Sequence, residues 1–439
     1  MAVLVIAAIG FGLGFLVFDD PDPNTGAPAP TAVVIEGDTP QPDAAQAIGF
    51  PEFATRNTTR VGGVDAIADA AGVSLASYPA QGGIGSPQAA VLASADSWQE
   101  ALAATPLTAD PLASPLLLGG PDEVPAITDQ ALAAIAPAGL EEAGGAQLIT
   151  VGDVAAPAGL EALAIEGSEP SEIANEVDKQ RAVLTGVEEP DHLLVVSSEA
   201  AAFAMPAASW AARSGDPILF AAGDEVPEGT LSVIERHPDT PIYVLGPESV
   251  ISSKALAKLG RKGASVSRVG NEDPLENAIT FARYVDGDFG WNINDPGHGF
   301  AIANTDRPLD AAAAAPLAAG GKPGPLLLTD DPDTIPPELT AFLADTQPGF
   351  IDDPSRAVYN HVWLLGDATA ISVAFQAQVD ELTKLAPVTD STQVPDFGAD
   401  ATTPPAASGP AAGGDLALPD LGGAPDASGT KNDKGPATE

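Results

Sequence analysis

Residues 302–318 read IANTDRPLDAAAAAPLA: a short apolar run, a small polar loop, then a segment of almost pure alanine. The chain writes similar stretches twice before, as VLASADSWQEALAATPL at 91–107 and VVSSEAAAFAMPAASWA at 195–211. In register, Ser94-Ala95-Asp96 falls on Ser197-Ser198-Glu199 and on Asn304-Thr305-Asp306. The agreement runs on downstream through SPLLLGG, DPILFAAG and GPLLLTD, each led by a proline (Pro115, Pro217, Pro325). An acidic turn with a second proline follows (Pro125, Pro227, Pro336), then a short amphipathic helix. A further strand ends in glycine at Gly152, Gly246 and Gly366. Upstream, RVGGVDAIADAAG, IEGSEPSEIANEV and RVGNEDPLENAITFA each place a glycine (Gly62, Gly167, Gly270) before a helical stretch. Landmarks that return together at a period of about 100 residues mark a triplication, with a unit longer than usual solenoid repeats.

Within a copy, strands alternate with helices, and the strands are near-continuous apolar runs. That pattern predicts parallel pairing through right-handed crossovers, with helices covering both sheet faces. The fold class is therefore α/β: three tandem layered modules with mostly parallel sheets, at 49–163, 164–265 and 266–388. Alanine favours helix and has little bulk, so a segment such as 311–315 can pack very close to a sheet or a neighbouring module.

The flanks differ. Residues 1–18, MAVLVIAAIGFGLGFLVF, are uncharged and mostly apolar, close to the roughly 20 residues that span a bilayer as a helix. They read as an uncleaved membrane anchor, with a cleaved signal sequence as the alternative. Residues 19–48 form a Pro- and Asp-rich linker, and 389–439 an acidic Pro/Ala/Gly-rich tail whose composition predicts disorder.

The 439 residues carry 61 Asp plus Glu against 18 Lys plus Arg, a formal net charge of −43. Nucleic acid is an unsuitable partner, because phosphate binding needs a basic face. There is no cysteine, which removes disulfides, thiolate metal sites and thiol catalysis. The four histidines (His192, His237, His298, His361) are dispersed and lack zinc-motif spacing. DPDPNTG, at 20–26, lacks the closing Glu of a calcium loop. No metal or cofactor is assigned, and no nucleophile–base pair indicates an enzyme.

These motifs together resemble the cell wall-binding repeat 2 family of bacterial surface proteins. The resemblance rests on RVGG, SADSWQEALAATPL, SPLLLGG and ITVG in the first copy, and on RVGNED, NTDRPLDAAAAAPLA, GPLLLTD and VWLLG in the third. The second copy departs from it, with Ile165 where Arg60 and Arg268 stand and Phe203 where Glu100 and Asp310 stand. The third carries an inserted loop, DGDFGWNINDPGHG, which reads as a surface loop. The resemblance implies a compact pseudo-trimer of modules and non-covalent binding to anionic cell-wall or envelope glycopolymer. It implies no enzyme, and it places the chain in the envelope, extracytoplasmic, tethered by its N-terminal helix or secreted. A structural scaffold that binds envelope proteins without polymer is the alternative.

Candidate ligand residues lie where open α/β sheets bind ligands, at the carboxyl ends of strands. They are Ser94 and Asp96, Ser197 and Glu199, and Asn304, Asp306 and Arg307. The same residue types cap helices, so each has a structural reading beside the functional one. Arg60 and Arg268 could pair with oxyanions of a polymer, or with the protein's own acceptors.

Overall fold

The structure, a computed structural model, describes residues 53–78, 86–260, 265–319 and 324–388. The expected anchor, linker and tail lie outside them. Among the described residues no helix is long and apolar enough to cross a membrane.

In chain order the first elements are β1 (Phe53–Ala54), β2 (Thr58–Val61), α1 (Ala66–Ser77), β3 (Ala90–Ser94), α2 (Trp98–Ala103), β4 (Leu116–Gly119), α3 (Ala126–Ile135), β5 (Leu148–Val151) and β6 (Ala162–Ile165). Then come α4 (Pro170–Thr185), β7 (Leu193–Ser197), α5 (Ala201–Ala204), α6 (Ala207–Ser214), β8 (Ile218–Ala221), α7 (Glu228–Arg236), β9 (Ile242–Leu245), α8 (Ser253–Leu259) and β10 (Val266–Val269). The last are α9 (Pro274–Arg283), β11 (Gly299–Asn304), α10 (Leu309–Ala319), β12 (Leu326–Thr329), α11 (Pro337–Asp345), β13 (Gly349–Phe350), β14 (His361–Leu365), α12 (Val373–Thr383) and β15 (Ala386–Pro387), which pairs with β13.

One strand order recurs in three sheets: β4-β3-β5-β6, β8-β7-β9-β10 and β12-β11-β14-β2. All these pairs are parallel; only β1, added outside β2, runs antiparallel. The α/β class with layered parallel sheets is thus observed. Strands β3, β4, β5, β7, β8 and β9 are buried along their whole length, as the continuous apolar runs require. Pro115, Pro217 and Pro325 precede the edge strands β4, β8 and β12. Lacking an N–H costs nothing there, and their carbonyls accept from Val91, Leu194 and Ala301 to start the ladders. Pro125, Pro227 and Pro336 are the residues at which α3, α7 and α11 begin.

The sheets are assembled across the spans read from sequence. The Gly-preceding strand that opens each span pairs in the sheet of another. Strand β6 crosses residue 163 to finish the first sheet, and β10, from the third span, finishes the second. Strand β2, from the first span, pairs with β14 in the third sheet, Thr58 to Val61 against Val362 to Leu365. The helix after each such strand packs on the following sheet: α1 on β4 and α3, α4 on β8 and α7, α9 on β12 and α11. Each strand–helix unit therefore straddles two sheets, and the beginning of the folded region is built into its end.

The alanine segments lie where these parts meet. Helix α10 packs on α6, α1 and α2, with Ala311 to Ala315 fully buried. Helix α6 packs in turn on the turn Thr105–Thr108. Helix separation depends on the side chains at the contact, and alanine permits the closest approach short of glycine.

The inserted loop lies at the surface, as read, but its apolar side chains turn inward. Phe289 and Ile293 are buried, and Trp291 nearly so. The Phe289 ring stacks 3.6 Å from that of Tyr243 and lies 4.9 Å from Trp210 and 5.2 Å from His192. Beneath it Trp210 Nε1 donates to Asp216 Oδ2 over 2.8 Å, with His192 Nδ1 3.1 Å from the same oxygen. The insertion fastens the third span onto the second sheet with aromatic area.

Candidate binding site at the strand carboxyl ends

The candidate loops follow β3, β7 and β11, the inner strands of the three sheets. Ser94, Ser197 and Asn304 are buried at the strand ends. Each accepts from the backbone N–H two residues on: Asp96 to Ser94 Oγ at 3.3 Å, Glu199 to Ser197 Oγ at 3.1 Å, and Asp306 to Asn304 Oδ1 at 3.0 Å. Ala200 N–H also donates to Ser197 Oγ (2.9 Å), and Asn304 Nδ2 donates to Ala370 O (3.0 Å). These side chains hold their turns. Asp96, Glu199 and Asp306 are exposed, one at each sheet.

The strands beside these loops, β5, β9 and β14, end in Gly152, Gly246 and Gly366 with φ of 81°, 109° and 98°. That left-handed backbone favours glycine. A Cβ would also strike Glu100 at the first and Ala370 at the third, while at the second it would meet Phe203 in ordinary contact. Glu100 and Phe203 thus occupy one position in the first turn after the loop; Asp310 matches them in sequence, but Ala370 and Arg307 are what lie against Gly366. Burial pushes the Glu100 carboxyl up, against hydrogen bonds from Ser97 and the Asp153 backbone.

The arginines face inward. Arg60 is 1% exposed and donates through Nε to Gln376 Oε1, Nη1 to Gly366 O and Asp367 O, and Nη2 to Ser372 O, at 3.0–3.1 Å. Arg268 repeats the arrangement half-buried, with Nη1 on Gly246 O and Nη2 on Ile251 O, both 2.6 Å. Desolvation pulls its pKa down. Ile165, at the matching place, supplies no such donor.

Arg307 enters a cluster that sequence reading did not find. Its Nη2 donates to Asp69 Oδ2, and its Nε lies 2.7 Å from Asp310 Oδ2. Both carboxyls are fully buried. Asp69 Oδ1 also accepts from Gly63 N (2.9 Å) and Gly366 N (3.2 Å), tying the start of α1 to the end of β14. Two buried carboxyls face one guanidinium, and burial outweighs its attraction at both, with repulsion from Asp310 added at Asp69 and from Asp65 at Asp310. Asp69 is raised well above the carboxylate range, and Asp310 is pushed up to about 6. Such a pair retains a proton where surface carboxylates have lost theirs.

Arg60, Asn304, Arg307, Asp69 and Asp310 therefore meet around Gly366 to Ser372 at one corner, while Arg268 and the loops of Ser94 and Ser197 stand at the other sheets. What faces solvent at these ends is carboxylate, which accepts from sugar hydroxyls or attracts cations. No local signal links Asp69 with Arg307; their pairing follows from the β2–β14 closure. Among the described residues no group of three or more His, Asp or Glu is placed to hold a metal.

No family model matches this chain, and no curated protein does. Among solved structures, Cwp8 from Clostridium difficile is similar with a TM-score of 0.57 and 19% identity, over 75% of this chain and 52% of that one. Cwp6 from Clostridium difficile is similar with a TM-score of 0.57 and 18% identity, over 75% and 48%. The chain spans about half the length of these proteins, and at this identity the likeness is one of fold.

Proposed function

We propose that this chain is a cell-wall-associated protein that binds an envelope glycopolymer non-covalently, without catalysis, and holds itself at the surface. The observation that carries the reading is the fold shared with the cell wall proteins Cwp8 and Cwp6 across three quarters of the chain. The apolar run at 1–18 would tether the chain on the outer side of the membrane, and the linker would give the folded part reach.

The exposed carboxylates Asp96, Glu199 and Asp306 contribute hydroxyl contacts or cation bridges on this reading. Arg60, Arg268 and Arg307 contribute rigidity, since their guanidinium groups already hold protein oxygens. That last observation also favours a second reading, an envelope scaffold whose partners are proteins.

Co-sedimentation of the full chain in mild detergent with walls from its own host separates the two. Saturable binding that disappears when anionic polymers are stripped supports polymer recognition. Dependence on added calcium would assign the contact to bridged carboxylates. Absence of binding under all salt and calcium conditions rejects polymer recognition and leaves the scaffold.

A further inference from the structure

Basic side chains are scarce here, and nearly all are engaged. Among the described residues, the lysines and Arg236, Arg283 and Arg307 have carboxylate partners, and Arg60, Arg181 and Arg268 donate to main-chain carbonyls. Arg56, Arg213 and Arg356 have neither. Two of these three, Arg56 and Arg356, lie near the amino end of β14, related through Tyr359.

Arg56 and Arg356 are both exposed. The Arg56 guanidinium carbon lies 5.0 Å from the Tyr359 ring centre, and Tyr359 Oη donates to Pro354 O over 3.0 Å, in the turn that carries Arg356. A cavity of about 330 Å³ lies in this turn, lined by residues 349–353, Arg356 and Ala357, with Tyr359 and Arg56 outside its lining. Neither aspartate approaches Arg356 within ion-pair distance. Asp353 turns its carboxylate to Ser355 N (2.9 Å) and Oγ (2.7 Å). Tyr359 remains 41% exposed, beside Val358 at 49% and with Ile351 at 65% on the same loop.

The base under this surface is fixed. Asn360 is buried, accepts from Gly297 N (2.8 Å) and His298 N (3.1 Å), and donates to Thr346 O (2.8 Å). Gly297, at φ 110°, passes so close to Val358 that a Cβ there would crowd it.

The geometry points to a subsite for an anionic sugar unit at this loop, with the pyranose against Tyr359 and Ile351 and its phosphate or carboxylate held by Arg56 and Arg356. An aromatic or aliphatic platform suits the apolar face of a pyranose, and guanidinium groups suit bidentate oxyanions. Asp352 can accept from sugar hydroxyls. In a chain of net charge −43, two arginines without carboxylate partners around one exposed tyrosine form a local minimum of repulsion where a polyanion can approach. The inference rests on the glycopolymer reading and gives it a location, at the opposite end of the third sheet from the loop of Asn304.

Calorimetric titration of the full chain with three probes tests it: polygalacturonate for sugar carboxylates, phosphomannan for sugar phosphates, and dextran as the neutral control. Wild type is expected to bind at least one polyanion and not dextran. R356Q and the R56Q/R356Q pair should weaken that binding by about tenfold or more, because charge-assisted bonds are lost. Y359A should weaken it and Y359F should not. R213Q, which makes the same charge change elsewhere on the fold, should leave affinity unchanged. Among the described residues Arg356 has no side-chain hydrogen bond or ion pair, so an unaltered melting temperature of R356Q guards against misfolding. Failure of wild type to bind either polyanion overturns the subsite, as does equal weakening by R213Q. Variants that still co-sediment with host walls at full affinity would overturn the subsite and leave wall binding standing.

Discussion

At Arg60 a residue type associated with phosphate recognition has become a structural clamp. Its guanidinium meets Gln376 Oε1 and three main-chain carbonyls at the end of β14. R60M should leave buried Gly366 O and Gln376 Oε1 without this donor, at about 1–3 kcal/mol for each orphaned group, while Asp367 O and Ser372 O keep main-chain donors. Denaturant unfolding should show a loss of several kcal/mol with wall binding unchanged; weakened binding by a fully folded variant would return Arg60 to the ligand site. Asp310 provides the pH-dependent counterpart. Its folded pKa of about 6 lies above the value near 3.8 of a free side chain. The stability it contributes is therefore complete below about pH 4 and is lost as pH rises through about 6. D310N removes this titration, so the wild-type-minus-variant stability difference should fall by about 2–3 kcal/mol between pH 4 and 7. Parallel pH profiles would show that the proton is not held there.

At the scale of elements, the alanine helix decides how closely the parts approach. Ala313 is fully buried where α10 packs among α6, α1 and α2. A313L adds a branched side chain to a filled contact and should cost about 1–3 kcal/mol, with a lower denaturation midpoint. An unchanged midpoint would mean that the contact has slack. The recurrent elements were legible because each has a local cause. Apolar runs specify strands, Ser, Asp or Pro marks helix starts, and glycine ends β5, β9 and β14 because φ is positive there. The anchoring of the inserted loop by its buried aromatic side chains was not legible. Phe289 and Trp291 read as polar-flanked loop residues until Tyr243 and Trp210 are brought against them.

At the scale of the whole molecule, β2 joins the two ends of the folded region by pairing with β14. Removing residues 1–61 should expose the β14 edge and delete the Arg60 clamp. Hydrogen exchange should then accelerate first at 361–365, ahead of 148–151 and 242–245. Uniform protection across the three strands would show that β2 is dispensable for the third sheet. Closure also creates the acidic corner, because Asp69 reaches Arg307 and Asp310 only when α1 follows a strand seated in the third sheet.

Read alone, the amino-acid order determined the α/β class, the parallel strands, the recurring landmarks and the loops after β3, β7 and β11. These depend on local periodicity and on the backbone chemistry of proline, glycine and alanine. Tertiary structure alone decided which sheet receives each Gly-preceding strand, since parallel pairing couples segments far apart in sequence and leaves no local mark. It also decided the fate of the charges. The pattern cannot distinguish an arginine that faces a ligand from one that meets a carbonyl: Arg60 and Arg268 went to the protein's own oxygens, while Arg56 and Arg356 stayed in solvent. The physical reason is that a guanidinium takes the acceptors within its reach, and the long-range closure of the sheets sets which acceptors those are.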